Sequence, residues 1–176
     1  MLTRQRPSWC AALAVFAATL AALATAPSAR AESTTCTGTI GPQQTIVGNV
    51  VVPAGARCAL LNSEVNGSVF VHPSASLQLR MSCGPDGPFD CMGSTVSGNV
   101  VASRASVVGL EMSRVEGNVV VDNTDYIYLY RSDVAGTLSL IRNRSVAFHT
   151  SLVGGKCVLR NNFLVTGNVP WECGGA

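Results

Sequence analysis

Cysteines are the first residues in this chain whose type and spacing suggest chemistry: of seven, Cys10 falls in the N-terminal stretch read below as a cleaved leader, and Cys36, Cys58, Cys83, Cys91, Cys157 and Cys173 remain. Thiols ligate zinc, act as nucleophiles or pair as disulfides, and spacing separates these fates. Paired Cys-x-x-Cys or His-x-x-x-His elements are missing, so a zinc site is disfavoured. An even number in an exported chain reads as a disulfide framework, although six cysteines admit 15 pairings. Their placement favours local bridges: Cys83 with Cys91 around the turn-rich GPDGPFD segment, and Cys36 with Cys58 and Cys157 with Cys173 clamping the two ends.

Serine, carboxylate and tyrosine side chains raise the question of catalysis or binding. Serines recur at Ser63, Ser82, Ser113, Ser132 and Ser151, but the histidines available as a base are only His72 and His149. Without a base and an orienting acid, stacked hydroxyls bonding from turn to turn explain the serines better than a nucleophile does. Asp122 and Asp125 lie at a corner after the first strand, with Arg144 opposite Asp125, and Asp133 falls opposite Arg114, so ion pairs rather than convergent carboxylates are expected. In DYIYLYR, Tyr126, Tyr128 and Tyr130 alternate with Ile127 and Leu129 and should share one outer face. Aromatic faces with hydroxyl tips suit sugars or protein partners, whereas cross-strand packing would use the same rings to stiffen a sheet.

A repeat positions these residues. Gly98, Gly117, Gly136 and Gly155 lie 19 apart (117−98, 136−117, 155−136), and so do Gly48 and Gly67 (67−48). A fixed period near 20 marks a solenoid. Counting from each glycine as position 0, position 2 reads Val50, Val69, Val100, Val119, Leu138 and Cys157, and position 4 reads Val52, Val71, Ala102, Val121, Leu140 and Leu159. Apolar columns recur at positions 10 (Cys58, Leu77, Val108, Ile127, Val146) and 12 (Leu60, Leu79, Leu110, Leu129, Phe148), and again at 17 (Val65, Val96, Val115, Val134, Val153). Alternation within each segment predicts strands, and three segments per period predict a three-sided coil. The fold class expected is therefore all-β, a single parallel β-helix of about six 19-residue turns with disulfide-stabilised ends. Glycine at position 0 suits a corner where the backbone turns sharply.

Position 3 faces outward yet reads Val51, Phe70, Val101, Val120, Ser139 and Val158, an apolar stripe across adjacent turns. Such a stripe is either an interaction surface or the strand preference of valine, or it lies under a terminal segment. The step from Gly67 to Gly98 is 31 rather than 19, which places 12 extra residues in a loop over 82–93. Loops on rigid scaffolds often carry function, and this one is equally an accommodated insertion stapled by Cys83 and Cys91.

Residues 1–31 resemble a cleaved signal peptide: Arg4 and Arg6, an alanine-rich apolar run from Ala11 to Ala24, and Ala29-Arg30-Ala31 as a small-x-small site. The apolar run is short for the ~20 residues of a bilayer span, so no membrane span is expected in the mature chain of 32–176. Losing Arg4, Arg6 and Arg30 takes the basic count from 12 to 9 against 10 acidic residues, a formal charge of 9−10, or −1. That balance excludes a nucleic-acid partner, which needs clustered Lys and Arg. A secreted or extracytoplasmic location follows from the leader and the cysteines.

The GNVVV and GNVVA turns, the corners Ser113-Arg114-Val115 and Ser132-Asp133-Val134, and the Lys156–Cys173 segment with Asn161-Asn162 and Thr166-Gly167-Asn168 resemble short exported bacterial repeat proteins with a GNV-type β-solenoid. More distantly the turn is similar to that of the bactofilins, polymer-forming β-helix proteins, a resemblance that implies end-to-end assembly. The expectation is a non-catalytic structural or interaction protein of the cell envelope or extracellular space. It would need no cofactor or metal, and its partner would be another copy of itself or an envelope polymer or glycan. The alternatives are a glycan-binding module, with Tyr126, Tyr128 and Tyr130 as its patch, and a polysaccharide-active enzyme. The last would need an acidic or basic cluster that these positions do not supply.

Overall fold

The structure, a computed structural model, describes residues 32–83 and 91–173, which fall in the compact unit Ala31–Ala176. Residues 1–31, expected to be a leader, residues 84–90 of the inserted loop and residues 174–176 lie outside the described residues. Three parallel sheets wrap one core as a β-solenoid. The first face stacks Ser33–Thr35, Asn49–Val52, Val69–Val71, Val100–Ser103, Val119–Asp122, Leu138–Ile141 and Cys157–Arg160. The second stacks Thr39–Ile40, Arg57–Leu61, Ser76–Arg80, Val107–Glu111, Tyr126–Tyr130, Ser145–His149 and Leu164–Gly167. The third has six short strands, from Thr45–Val47 to Leu152–Val153.

The register follows the period. Val100 pairs with Val119 and Val119 with Leu138, while Val108 pairs with Ile127 and Ile127 with Val146, so like positions stack on like. Each turn has too little apolar surface to hold itself, and stacking turns the inward columns into one continuous core. Positions 2 and 4 are buried from Val50 and Val52 through Leu138 and Leu140. Positions 10, 12 and 17 are buried through Val146, Phe148 and Val153. In the last turn Cys157 and Leu159 are half-buried, because no further turn lies beneath them.

The coil has seven turns rather than six. The extra one is N-terminal, and its strands sit 16, 20 and 19 residues before their partners (49−33, 59−39, 64−45), an irregular step that hides it from a search for a fixed period. Disulfides join Cys36 to Cys58 and Cys157 to Cys173 at the two ends, and Cys83 to Cys91 across the base of the inserted loop. There Ser82–Cys83 and Cys91–Met92 pair antiparallel. Disulfides suit an oxidising environment outside the cytoplasm.

The repeated glycines serve a purpose other than a left-handed turn. Gly48 has φ of 100°, but Gly67, Gly98, Gly117, Gly136 and Gly155 do not adopt positive φ. Instead, a Cβ on Gly117 would stand 2.4 Å from the carbonyl oxygen of Gly98, and one on Gly136 would stand 2.5 Å from that of Gly117. The constraint is backbone stacked on backbone. The left-handed corners fall on other residue types, including Arg104, Asn123, Arg142 and Asn161 at position 6, with φ of 55°, 52°, 55° and 53°.

Polar ladders line the corners. In the serine ladder Ser113 Oγ accepts from Ser94 N at 3.2 Å, and Ser132 Oγ accepts from Ser113 N at 3.3 Å. Ser94, not Ser82, occupies this column in its turn, accepting from Ser63 N, because the insertion begins at Ser82 and pulls that residue into the hairpin. At position 1, Asn99 Oδ1 accepts from Asn118 N and Asn118 Oδ1 from Thr137 N, both at 2.8 Å. Inside the corner between the first and second faces Asn143 is buried; its Oδ1 accepts from Thr124 N at 2.9 Å and its Nδ2 donates to Val121 O at 3.2 Å. Each ladder satisfies backbone groups that a sharp corner would otherwise strand.

Candidate functional site

Two outer surfaces carry the residues singled out by the sequence. On the first face, Val51 pairs with Phe70, Phe70 with Val101, and Val101 with Val120, so the stripe is continuous. Phe70 and Val120 remain 38% and 37% exposed. A hollow of about 490 Å³ lies beside Val51, Phe70 and Val101, bounded by His72, Pro73, Ser103 and Arg104. The C-terminal segment runs to Cys173, which is bonded to Cys157 in the last turn.

The second face carries the tyrosines. Alternation of inward Ile127 and Leu129 turns Tyr126, Tyr128 and Tyr130 outward. They are unequal. Tyr126 is 42% exposed, whereas Tyr128 and Tyr130 are half-buried. Small neighbours do not simply leave the rings bare, because Tyr128 lies across Gly109 in the adjacent strand: a Cβ there would fall 2.2 Å from the ring. Only glycine leaves room for this close approach. Tyr126 and Tyr128 have ring centroids 5.8 Å apart and tilted. Tyr130 packs on His149 at 4.8 Å, with Arg131 Cζ 5.5 Å from its centroid. These are favourable aromatic and cation–π geometries that fix the row in place.

Beside this row the face sinks. A shallow groove of about 400 Å³ is lined by Thr37, Thr39, Arg57, Ala59, Ser76, Gln78 and Val107. Val107 pairs with Ser76 on one side and Tyr126 on the other, so groove and aromatic row are contiguous. Four neighbouring strands from Arg57–Leu61 to Tyr126–Tyr130 span roughly 14 Å at the usual strand spacing. The sequence reading passed over Ser76, Gln78 and Arg57. Their signal was present as small or polar side chains at positions 9 and 11 of the turns preceding the tyrosines.

The electrostatics are mild. Burial pushes the Tyr128 phenol above its usual range and the Glu111 carboxylate adds to the shift, while Arg80 opposes it. Arg80 Nε and Glu111 Oε2 form an ion pair at 3.3 Å along the edge of the row. Elsewhere Arg114 pairs with Asp133. Asp122 is held by Arg142, at 2.9 Å from Nε and 2.6 Å from Nη2, which replaces the expected Asp125–Arg144 pair. Arg142 is the left-handed residue at position 6 of its turn, and its guanidinium bonds Asp122 of the preceding turn.

The serine ladder is buried, and the hydroxyls of Ser113 and Ser132 also donate to the carbonyls of Glu111 and Tyr130. His72 follows the first face and His149 ends a strand of the second. Among the described residues no group of three or more His, Cys, Asp or Glu side chains is arranged to hold a metal ion. No helix among them is long and apolar enough to cross a membrane. The chain matches no known protein family, no curated protein and no solved structure.

Proposed function

We propose that this protein is an exported, non-catalytic scaffold of the cell envelope or extracellular space that presents its second face to a saccharide polymer. The observation that carries this reading is the contiguity of Tyr126 and Tyr128 with the groove over Ala59, Ser76, Gln78 and Val107. A sugar ring offers an apolar face to an aromatic side chain and hydroxyls to polar neighbours. Ser76, Gln78, Arg57 and the phenol hydroxyls supply partners at the edges of such a ring. A rigid coil holds these groups in a fixed line at low entropic cost to binding. The leader at 1–31 and the disulfides support a location outside the cytoplasm.

Retention in gels containing envelope polysaccharide tests the reading. The chain should be retarded, and the variant with Tyr126, Tyr128 and Tyr130 all replaced by serine should migrate freely while still melting cooperatively, at a lower temperature than the parent. Equal retention of both would defeat it, and release of new reducing ends by the parent would revive the enzyme alternative.

A second reading, association with another copy, draws on the exposed Phe70 and Val120 in the first-face stripe. Such contact is side by side, and so differs from the end-to-end assembly that the bactofilin resemblance implies. Sedimentation over a wide concentration range separates the two readings, since only the second predicts larger species without added polymer.

A further inference from the structure

We propose that the C-terminal end of the coil docks onto an anionic lipid surface, lying in its headgroup layer rather than crossing it. This inference is independent of which face meets a polymer. Charge is distributed unevenly along the coil. Residues 136–173 contain Arg142, Arg144, Lys156 and Arg160 against Glu172, or 4−1 = +3, while residues 32–135 hold 5 basic and 9 acidic residues, or −4. Arg142 is occupied by Asp122, but Arg144, Lys156 and Arg160 are exposed and form no ion pair among the described residues.

The same end exposes its largest apolar side chains. Phe163 is 88% exposed and stands one turn beyond Arg144, Leu164 follows it, and Trp171 is 84% exposed on the short helix Trp171–Cys173. The helix is tied to the last turn by the Cys157–Cys173 bond. Exposed aromatic and aliphatic groups with free cations beside them match an interface that is anionic at the surface and apolar just beneath. Other occupants fit less well. A second copy docked end to end in a two-fold manner would bring two +3 ends together. The opposite end of the coil offers mainly Thr35, Thr37, Thr39 and Thr45, with Val47 its single large exposed apolar side chain, against Phe163, Leu164 and Trp171 here. Depth is limited by the terminal strands Cys157–Arg160 and Leu164–Gly167, each with an outer edge that pairs with no further strand. Unpaired backbone is not tolerated in hydrocarbon, so the end rests at the interface.

The test uses residues 32–176, which carry the whole described core and in which Trp171 is the sole tryptophan, the other being Trp9. Its fluorescence is read against vesicles of phosphatidylcholine alone and against vesicles with about 30% phosphatidylglycerol, a content that gives the strong negative surface potential basic groups respond to. The expected result is a blue shift and co-flotation with the anionic vesicles only, both reversed by high salt. Arg144→Glu with Arg160→Glu should lower partitioning by about 20-fold or more, since each basic residue near such a surface contributes roughly a factor of five. Trp171→Ala with Phe163→Ala should abolish flotation without altering the melting temperature. No association with either vesicle, equal association with both, or an unchanged partition of the charge-reversed variant overturns the proposal. So does a concentration-dependent blue shift in the absence of vesicles, which would assign the end to a second copy. Polysaccharide retention through the tyrosines is untouched by these variants, so the two proposals fail separately.

Discussion

Val119 and Val120 are adjacent in sequence and opposite in environment, and an aspartate at each should have very different effects. Val119 is 0% exposed, stacked between Val100 and Leu138, which are also fully buried, whereas Val120 is 37% exposed on the first face. Val119→Asp forfeits the burial of a valine side chain, about 1.5–3 kcal/mol. It also places a carboxyl where no cation or donor waits, and the group will stay neutral rather than be buried charged. Holding an acid of ordinary pKa near 3.9 protonated at pH 7 costs 3.1 units at 1.36 kcal/mol each, about 4 kcal/mol. The total, roughly 5–7 kcal/mol at pH 7, is comparable with the whole stability of an ordinary domain. The sign of the pH dependence follows. Burial raises the folded-state pKa above the unfolded value, so the protonated group is tolerated below pH ~4 and the penalty grows as pH rises above it. Urea titration should therefore show the variant unfolded or nearly so at pH 7 and recovering about 3–4 kcal/mol relative to the parent by pH 4. Val120→Asp should cost less than about 1 kcal/mol at either pH. Equal losses at the two positions would refute the inward and outward assignment, and with it the coil.

Other perturbations probe the corners, the ends and the aromatic row. Gly117→Ala should destabilise by about 2 kcal/mol or more, because its Cβ meets a carbonyl oxygen of the turn above. Gly38→Ala, with open space around it, should be neutral or gain up to ~1 kcal/mol in thermal melts. Asn143→Ala leaves the Thr124 amide without its acceptor in a buried corner, a loss of about 1–3 kcal/mol by denaturant titration. Breaking the Cys36–Cys58 bridge by paired serine substitution should cost about 2–4 kcal/mol, seen as a lower melting temperature. Since the Tyr128 pKa is raised in the folded state, its contribution to stability holds below pH ~10 and fades as pH rises through the folded value. Spectrophotometric titration of Glu111→Gln should then show Tyr128 ionising at lower pH than in the parent.

The repeat made the coil legible because its cause is geometric: stacked turns must match residue for residue, so a fixed period survives in the glycines and apolar columns. Legibility ended where the stacking is irregular. The first turn steps 16, 20 and 19 residues to its partner strands, and no period can reveal that. The insertion shifted the serine column from Ser82 to Ser94 within one turn, a displacement of 12 residues (94−82) that spacing alone left ambiguous. Asn143 was missed as a corner ladder because Thr124 and Ala105 occupy the same position in preceding turns, and only Asn162 repeats it. At the candidate site, alternation alone sufficed to turn the three tyrosines outward. Their unequal exposure required knowing that Tyr128 leans over Gly109, and the groove required knowing which turns lie beside them.

Contact between the second face and a saccharide polymer can be mapped by backbone amide shifts of residues 32–176 during titration with soluble envelope polysaccharide. Perturbations are expected in Ser76–Arg80, Val107–Glu111 and Tyr126–Tyr130, saturating together. Shifts centred on Val51, Phe70, Val101 and Val120, or no shifts at saturating polymer, would contradict it.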